Sequence, residues 1–198
     1  TRRARSGSTS CIRGPVSFAN RLTDDVVDAA REGDSSALTM VYESLAPGIL
    51  AYLRVRGSRD AEGLTQEVFL QLLPQLRKLT GGASGLRALA FRIAHARLVD
   101  EFRRRSRASE VPYEADLDGR QHDSAEHEAM GRSSSVTSLL AKLGDEQKTV
   151  ILLRILGDLS LEETARVVGK SVGAVKQLQR RGLLALREHA EAGGRHDE

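Results

Sequence analysis

Tryptophan is absent from this chain, and three tyrosines and four phenylalanines are its whole aromatic complement, 4% of the residues. So few large rings argue against a β-sandwich or barrel and for helical packing rich in Ala and Leu. Cys11 is the single cysteine; it forms no internal disulfide, and no Cys/His spacing suggests zinc, which fits a reducing compartment. No apolar run approaches the roughly 18 residues of a membrane span. Acid is missing from residues 1–22, "TRRARSGSTSCIRGPVSFANRL". That stretch is rich in arginine but has no hydrophobic segment behind it, so it does not read as a secretory signal. Alternating strand patterns and internal repeats are also lacking. A soluble, cytoplasmic, all-α protein is expected.

What remains is 198 residues, enough for one ordinary domain or two small ones, with 29% charged and 40% hydrophobic residues. The net charge is only +3, so the distribution of charge matters more than its total. Residues 1–23 read as a disordered basic arm. From Asp24 onward Val27, Ala30, Ala37, Leu38, Val41, Tyr42, Leu45, Ile49 and Leu53 recur at helical spacing, with "EGD" at 32–34 as a break. A second helix is expected over Arg59 to Leu73, its apolar face Leu64, Val68, Leu72 and Leu73, with Pro74 as a bend or stop. "LTGGASG" (79–85) reads as a glycine-rich loop before a long helix over Leu86 to Arg107. Composition turns acidic and aperiodic over 109–135, a flexible linker. Helical patterning resumes over 136–190, and 191–198 read as a disordered tail. Two small helical domains joined by an acidic linker result.

The stretch "LEETARVVGKSVGAVKQLQRRG" (161–182) is the most informative. Ser160 and Glu163 have the spacing of a capping box. Leu161, Ala165 and Val168 share a face, and Gly169 suits a left-handed exit from the helix. Ser171 is placed to cap a following helix that runs to about Glu188, with Val172, Val175 and Gly182 inward. Two helices and a three-residue turn match a helix-turn-helix. The second helix carries Lys176, Gln177, Arg180 and Arg181 outward. Lys and Arg neutralise phosphates, while Arg and Gln can bond base edges in the major groove. A merely solvated basic face is the plainer alternative, and Leu178 and Gln179 leave the rotation of the helix open.

In the first half, "RDAEGLTQEVFLQLL" places Gln66, Glu67 and Gln71 opposite an apolar face, with Phe69 off the main stripe where a partner could cover it. An ordinary amphipathic helix would look the same. "LRALAFRIAHARLVDEFRRRSR" then offers Leu86, Leu89, Ile93 and Phe102 to a core and decorates the rest with Arg87, Arg92, Arg97 and Arg103 to Arg105. Such a helix can lie along a nucleic-acid backbone with the preceding loop near the bases. Two basic surfaces far apart in sequence imply two contacts on one nucleic acid.

"DAEGLTQEVFLQLL", "FRIAHARLVDEFRRR" and "LGDEQKTVILLRILGDLSLEETARVVGKSVGAVKQLQRRGLLALRE", in that order, resemble the extracytoplasmic-function (ECF) class of bacterial sigma factors, over residues from about 26 to 190. The resemblance implies a promoter-specificity subunit with region 2 over 24–108 and region 4 over 136–190, no catalytic residue, no cofactor and no metal. It implies that Leu64, Gln66, Glu67, Phe69 and Gln71 meet the clamp-helices coiled coil of the β′ subunit of core RNA polymerase. It places Thr80, Gly81, Gly82, Ala83, Ser84, Gly85, Arg92, Arg97, Arg103 and Arg104 at the melted −10 element of promoter DNA. Ser171, Lys176, Gln177, Arg180 and Arg181 would read the −35 duplex. The linker would thread toward the polymerase active-site channel. An anti-sigma factor is an implied partner, for which an exposed Phe69 would suit. The chain departs from the usual pattern at Gly63, where an acid is common, at Leu89-Ala90 and Ala96, and at Leu178-Gln179.

Two other readings stand beside this one. A stand-alone regulator with an all-α sensor domain would bind DNA without polymerase, and it leaves "LTQEVF" unexplained. A metal-dependent hydrolase would use His122, Asp123 and His127, which sit in an aperiodic polar segment without a scaffold to fix ligand geometry.

Overall fold

The computed structural model describes residues 22–110 and 138–193, all helices and short connections. The arm and the linker, with His122, Asp123 and His127, lie outside the described residues, as do the last five positions.

The first four helices follow local chemistry closely. Helix α1 (Asp24–Glu32) starts at Thr23, whose side chain accepts the Val26 N–H, and ends at Gly33 with φ 94°. Asp34 at once caps α2 (Ser35–Val55) by accepting the Ala37 N–H at 2.7 Å. The expected "EGD" break is therefore one left-handed glycine plus one capping aspartate. Asp60 caps α3 (Ala61–Leu72) through the Gly63 N–H, and Pro74 sits in the first turn of a 3₁₀ segment, Leu73–Lys78. Helix α4 (Gly82–Glu110) closes the bundle. Val27, Val41, Ile49, Leu53, Val68, Leu72, Leu86 and Leu98 are fully buried between these elements. Each such side chain contributes about 1.5–3 kcal/mol of burial free energy.

Two boundaries differ from expectation. Helix α4 begins four residues early, so the connection is only Leu79–Thr80–Gly81, and Gly82 to Gly85 form the first turn of a helix rather than a loop. The tight start is possible because Gly81 and Gly82 take φ 93° and 56°, a region open to glycine. The last helix runs to Gly193 instead of stopping near Glu188, so three residues assigned to the tail are helical.

After a helical turn at 138–141 come α5 (Asp145–Ile155), α6 (Leu161–Val168) and α7 (Val172–Gly193). Helix α7 crosses α5 at Gly182, where a Cβ would lie 2.5 Å from Ile151 Cδ1. The two helical groups are in contact. Leu153 and Leu159 join the same buried cluster as Ile49 and Phe91. Gly48, next to Pro47 inside α2, lets the Leu156 carbonyl come within 3.0 Å of where a Cβ would stand. At the rim Arg56 pairs with Asp145 (3.1 Å), and Arg87 lies 3.9 Å from Asp158.

Candidate polymerase and nucleic-acid surfaces

Helix α3 buries Ala61, Leu64, Thr65, Val68, Phe69 and Leu72. Leu64 and Phe69 are therefore core residues, 5% and 6% exposed, and not an outward contact surface. Phe69 packs against Tyr42 of α2 with ring centroids 4.6 Å apart. Leu64, Val68 and Leu72 hold to the expected stripe, while Leu73, expected with them, is 41% exposed because the chain has passed into the 3₁₀ segment there. The inclusion of Ala61 and Thr65 widens it, so that it reaches Phe69. The outward side chain is instead Leu70, 73% exposed, two residues and about 200° around the helix from Val68. Gln66 and Leu70, four residues apart, and Leu73 three further on form one exposed stripe, with the exposed Glu67 beside it. Gln71 is half-buried and turned toward α4. With its amide oriented to satisfy its neighbours, its oxygen accepts from Arg97 Nε (3.0 Å) and Nη2 (3.2 Å).

The turn before α4 exposes Thr80 and Gly81, followed by Ser84. Ala83 is buried, and Gly82 and Gly85 are half-buried, so three of the positions assigned to DNA face the protein. Gly85 is required where it stands, because a Cβ there would collide with the Thr80 carbonyl. Arg92 is exposed on the same side and lines, with Lys78, Thr80, Gly81 and Ser84, a cleft of about 510 Å³ whose far wall is Glu163, Arg166 and Val167 of α6. Arg97 is half-buried between Gln71 and Asp100 (3.8 Å). Arg103 and Arg104 are exposed further along, Arg103 lying 3.9 Å from Asp100. Arg87, expected to point outward, faces the second helical group.

In the second group Ser160 and Glu163 form the capping box, 3.1 and 2.7 Å in its two directions. Gly169 leaves α6 at φ 66°, and the Ser171 hydroxyl accepts the Ala174 N–H at 3.2 Å. Val175 is fully buried against Val150 and Ala165, with Leu178 packed on the same cluster. Leu178 thus faces inward, which resolves the rotation of α7. Lys176, Gln177, Arg180 and Arg181 point away from that cluster, on the opposite face. None of the three cations among them, Lys176, Arg180 and Arg181, has an acid within ion-pair reach among the described residues, whereas Lys170 pairs with Glu146 at 2.8 Å.

Between the groups Tyr52 Oη lies 2.8 Å from His95 Nδ1. Burial holds the Tyr52 phenol in its protonated form, far above its ordinary range. Burial, and then the positive charge of Arg56, push the His95 imidazole below its usual value. A protonated phenol and a neutral ring therefore share one hydrogen bond, whose direction follows the tautomer of the ring. No group of three His, Cys, Asp or Glu side chains among the described residues is placed to hold a metal ion. No described helix is long and apolar enough to cross a membrane.

Sequence reasoning misses Leu70, and also Asp24 and Arg31 of α1, which bond the two ends of the Thr80 turn (2.7 Å to the Ala83 N–H and 2.5 Å to the Leu79 carbonyl). Helical arithmetic alone could find Leu70. Contacts across 59 and 48 residues leave no local signal.

Comparison with known proteins agrees with this architecture. Sigma-70 region 2 matches residues 41–108 and Sigma-70, region 4 matches residues 139–188. The ECF RNA polymerase sigma factor SigD of Mycobacterium tuberculosis is 32% identical over 192 residues, 92% of this chain and 91% of that protein. The ECF RNA polymerase sigma factor BldN of Streptomyces coelicolor is 31% identical over 167 residues, 82% of this chain, which spans 63% of BldN's length. Among solved structures, the sigma factor RpoE of Bartonella quintana, in complex with the anti-sigma factor NepR, superposes with a TM-score of 0.60. That match has 20% identity and covers 78% of this chain and 96% of RpoE. CnrH, in complex with the cytosolic domain of CnrY, gives 0.58 at 22% identity, over 85% of this chain and 97% of CnrH. Two helical groups with a helix-turn-helix in the second, and a nearly full-length match to SigD at 32% identity, lead to one assignment: the chain belongs to the ECF class of sigma-70 factors, promoter-specificity subunits of RNA polymerase, and is not a stand-alone helix-turn-helix regulator.

Proposed function

We propose that this chain binds core RNA polymerase through α3, captures the −10 strand at the Thr80 turn and reads the −35 duplex with α7. It acts by binding, not by catalysis, in the cytoplasm where polymerase and promoter meet. The observation that carries the reading is the exposed Gln66–Leu70–Leu73 stripe with Glu67 beside it, on a chain that also presents basic side chains at two separate places. Large apolar side chains exposed side by side, as Leu70 and Leu73 are, and rimmed by polar ones suit a protein partner. In this assignment residues 24–108 are the core and −10 module and 136–190 the −35 module.

At the −10 end, Thr80, Gly81, Ser84 and Arg92 are the accessible groups, with Arg103 and Arg104 along the backbone path. At the −35 end, Lys176, Gln177, Arg180 and Arg181 face the groove and Ser171 sets the start of the helix. An anti-sigma factor is the natural inhibitor, supported by the fold shared with RpoE and CnrH, each solved with a bound partner. Run-off transcription with core polymerase, with and without this chain, tests the reading. Promoter-dependent transcript is expected only with it. Failure to associate with core in the absence of an inhibitor would sink the proposal.

A further inference from the structure

Helix α1 belongs to none of the surfaces above, yet two of its side chains hold both ends of the Thr80 turn. Asp24 Oδ1 accepts the Ala83 N–H at 2.7 Å, in the first turn of α4. Arg31 Nη2 donates to the Leu79 carbonyl at 2.5 Å, and its Nη1 is fixed by Asp28 at 2.6 Å. The approach of Asp24 depends on Gly82, where a Cβ would collide with Asp24 Oδ1. Three residues, two of them left-handed glycines, thus connect two anchored points, with Thr80 exposed at the start of the span.

We infer that α1 sets the shape of the −10 turn, with Asp24 and Arg31 as positioning residues that fix Thr80 and the start of α4 before a DNA strand arrives. The inference rests on the −10 assignment proposed above. A connection containing adjacent glycines samples many conformations when untethered, and ordering it on binding costs affinity. The two anchors impose that order in advance. Asp24 also supplies the negative charge that the α4 N-terminus favours, so a phosphate finds that position filled. Recognition is left to side chains around the turn, Lys78, Thr80 and Arg92.

Positioning and simple electrostatics predict opposite signs. Removing an acid beside a DNA surface should tighten strand binding if charge alone mattered. The test uses holoenzyme reconstituted with core polymerase and a fluorescent single-stranded oligonucleotide carrying a −10 element selected by the wild-type holoenzyme. Asp24→Ala and, independently, Arg31→Met should weaken capture about tenfold, the equivalent of one charge-assisted hydrogen bond, with core affinity unchanged. Asp24→Asn, which keeps an acceptor, should recover most of the loss. Tighter or unchanged capture by both Asp24→Ala and Arg31→Met overturns the inference, and so does an equal loss in Asp24→Asn and Asp24→Ala. Arg92→Ala separates the levels. If it weakens capture while the α1 variants do not, only the positioning role fails. If none of them weakens capture, the −10 site itself is misplaced.

Discussion

Arg56 at the end of α2 bonds Asp145 at the start of α5, Nη1 to Oδ1 at 3.1 Å, and so ties the two helical groups at the rim of their shared core. The partners are unlike: the Arg56 side chain is 9% exposed and that of Asp145 83%. Solvent screens such a pair, so its coupling should stay below about 1 kcal/mol. Asp145→Asn should then cost little. Arg56→Ala should cost more, because it also removes the buried stem that packs at the interface. A double-mutant cycle by chemical denaturation measures the coupling, and a value well above this bound would show a stronger clasp.

The same interface carries a pH dependence. His95 has its pKa lowered, first by burial and then by Arg56, from an unfolded value near 6.5. Above that value both states hold a neutral ring, and the full stability is present. Below it the unfolded chain takes up a proton that the folded chain resists, so stability falls as pH drops. The slope from this one group is at most about 1.4 kcal/mol per pH unit. His95→Gln, which can still hydrogen-bond Tyr52 in either direction, should flatten the fall between about pH 7 and 5. Denaturation midpoints across that range decide it: parallel curves for the two proteins would show that another group is responsible.

Phe69 and Leu70 are neighbours with opposite fates. Phe69→Ala should destabilise the fold by about 3–5 kcal/mol, the usual cost of a buried ring. Leu70→Asp should change stability by no more than about 0.5 kcal/mol and yet abolish association with core polymerase. Melting curves and core pull-down measure the two effects. Stable, core-competent Leu70→Asp would remove α3 from the polymerase surface.

That pair also shows what a sequence can tell. Caps, breaks and the helix-turn-helix are legible because their signals are local: Asp34 follows Gly33, Ser160 stands three residues from Glu163, and Val175 and Gly182 share a face. Phe69 is misread because the buried face of α3 includes Ala61 and Thr65, residues too small or too polar to mark a stripe. Gly82 to Gly85 look like a loop by composition. They form a helix because Asp24, 59 residues upstream of Ala83, caps it. The contact of the two groups through Gly48, Phe91 and Gly157 has no sequence signal at all, since each is ordinary in its own segment.

Gly182 is where α7 crosses α5, with a Cβ position 2.5 Å from Ile151 Cδ1 and 3.4 Å from Gln147 Cβ. Ile151 can swing aside for a methyl group, and alanine gains helix propensity in return. A larger side chain has no such exit. Gly182→Leu should cost about 1–3 kcal/mol by overpacking and tilt α7 against α6. Thermal unfolding reads the first effect and −35 duplex binding the second. Unchanged stability in the Gly182→Leu variant would mean that the crossing is looser than the contacts indicate.

The four outward groups of α7 can be sorted by salt. A side chain that contacts only phosphate contributes to affinity through counterion release, about 0.9 in the slope of log affinity against log salt for each phosphate neutralised. One that reads a base edge contributes about 1–3 kcal/mol of discrimination between sequences. Arg180 and Arg181 lie adjacent, one turn beyond Lys176 and Gln177, so they cannot all meet the groove floor. Arg180→Ala and Arg181→Ala, titrated separately at several salt concentrations against a −35 duplex and a scrambled one, should differ in kind. The variant that lowers the slope while keeping the ratio of the two affinities marks the phosphate contact. The variant that collapses the ratio with little change in slope marks the reader. Unchanged slope and ratio in both would move the −35 contact off this face of α7, while loss of core binding in either would mean that the two modules are not separable as assigned.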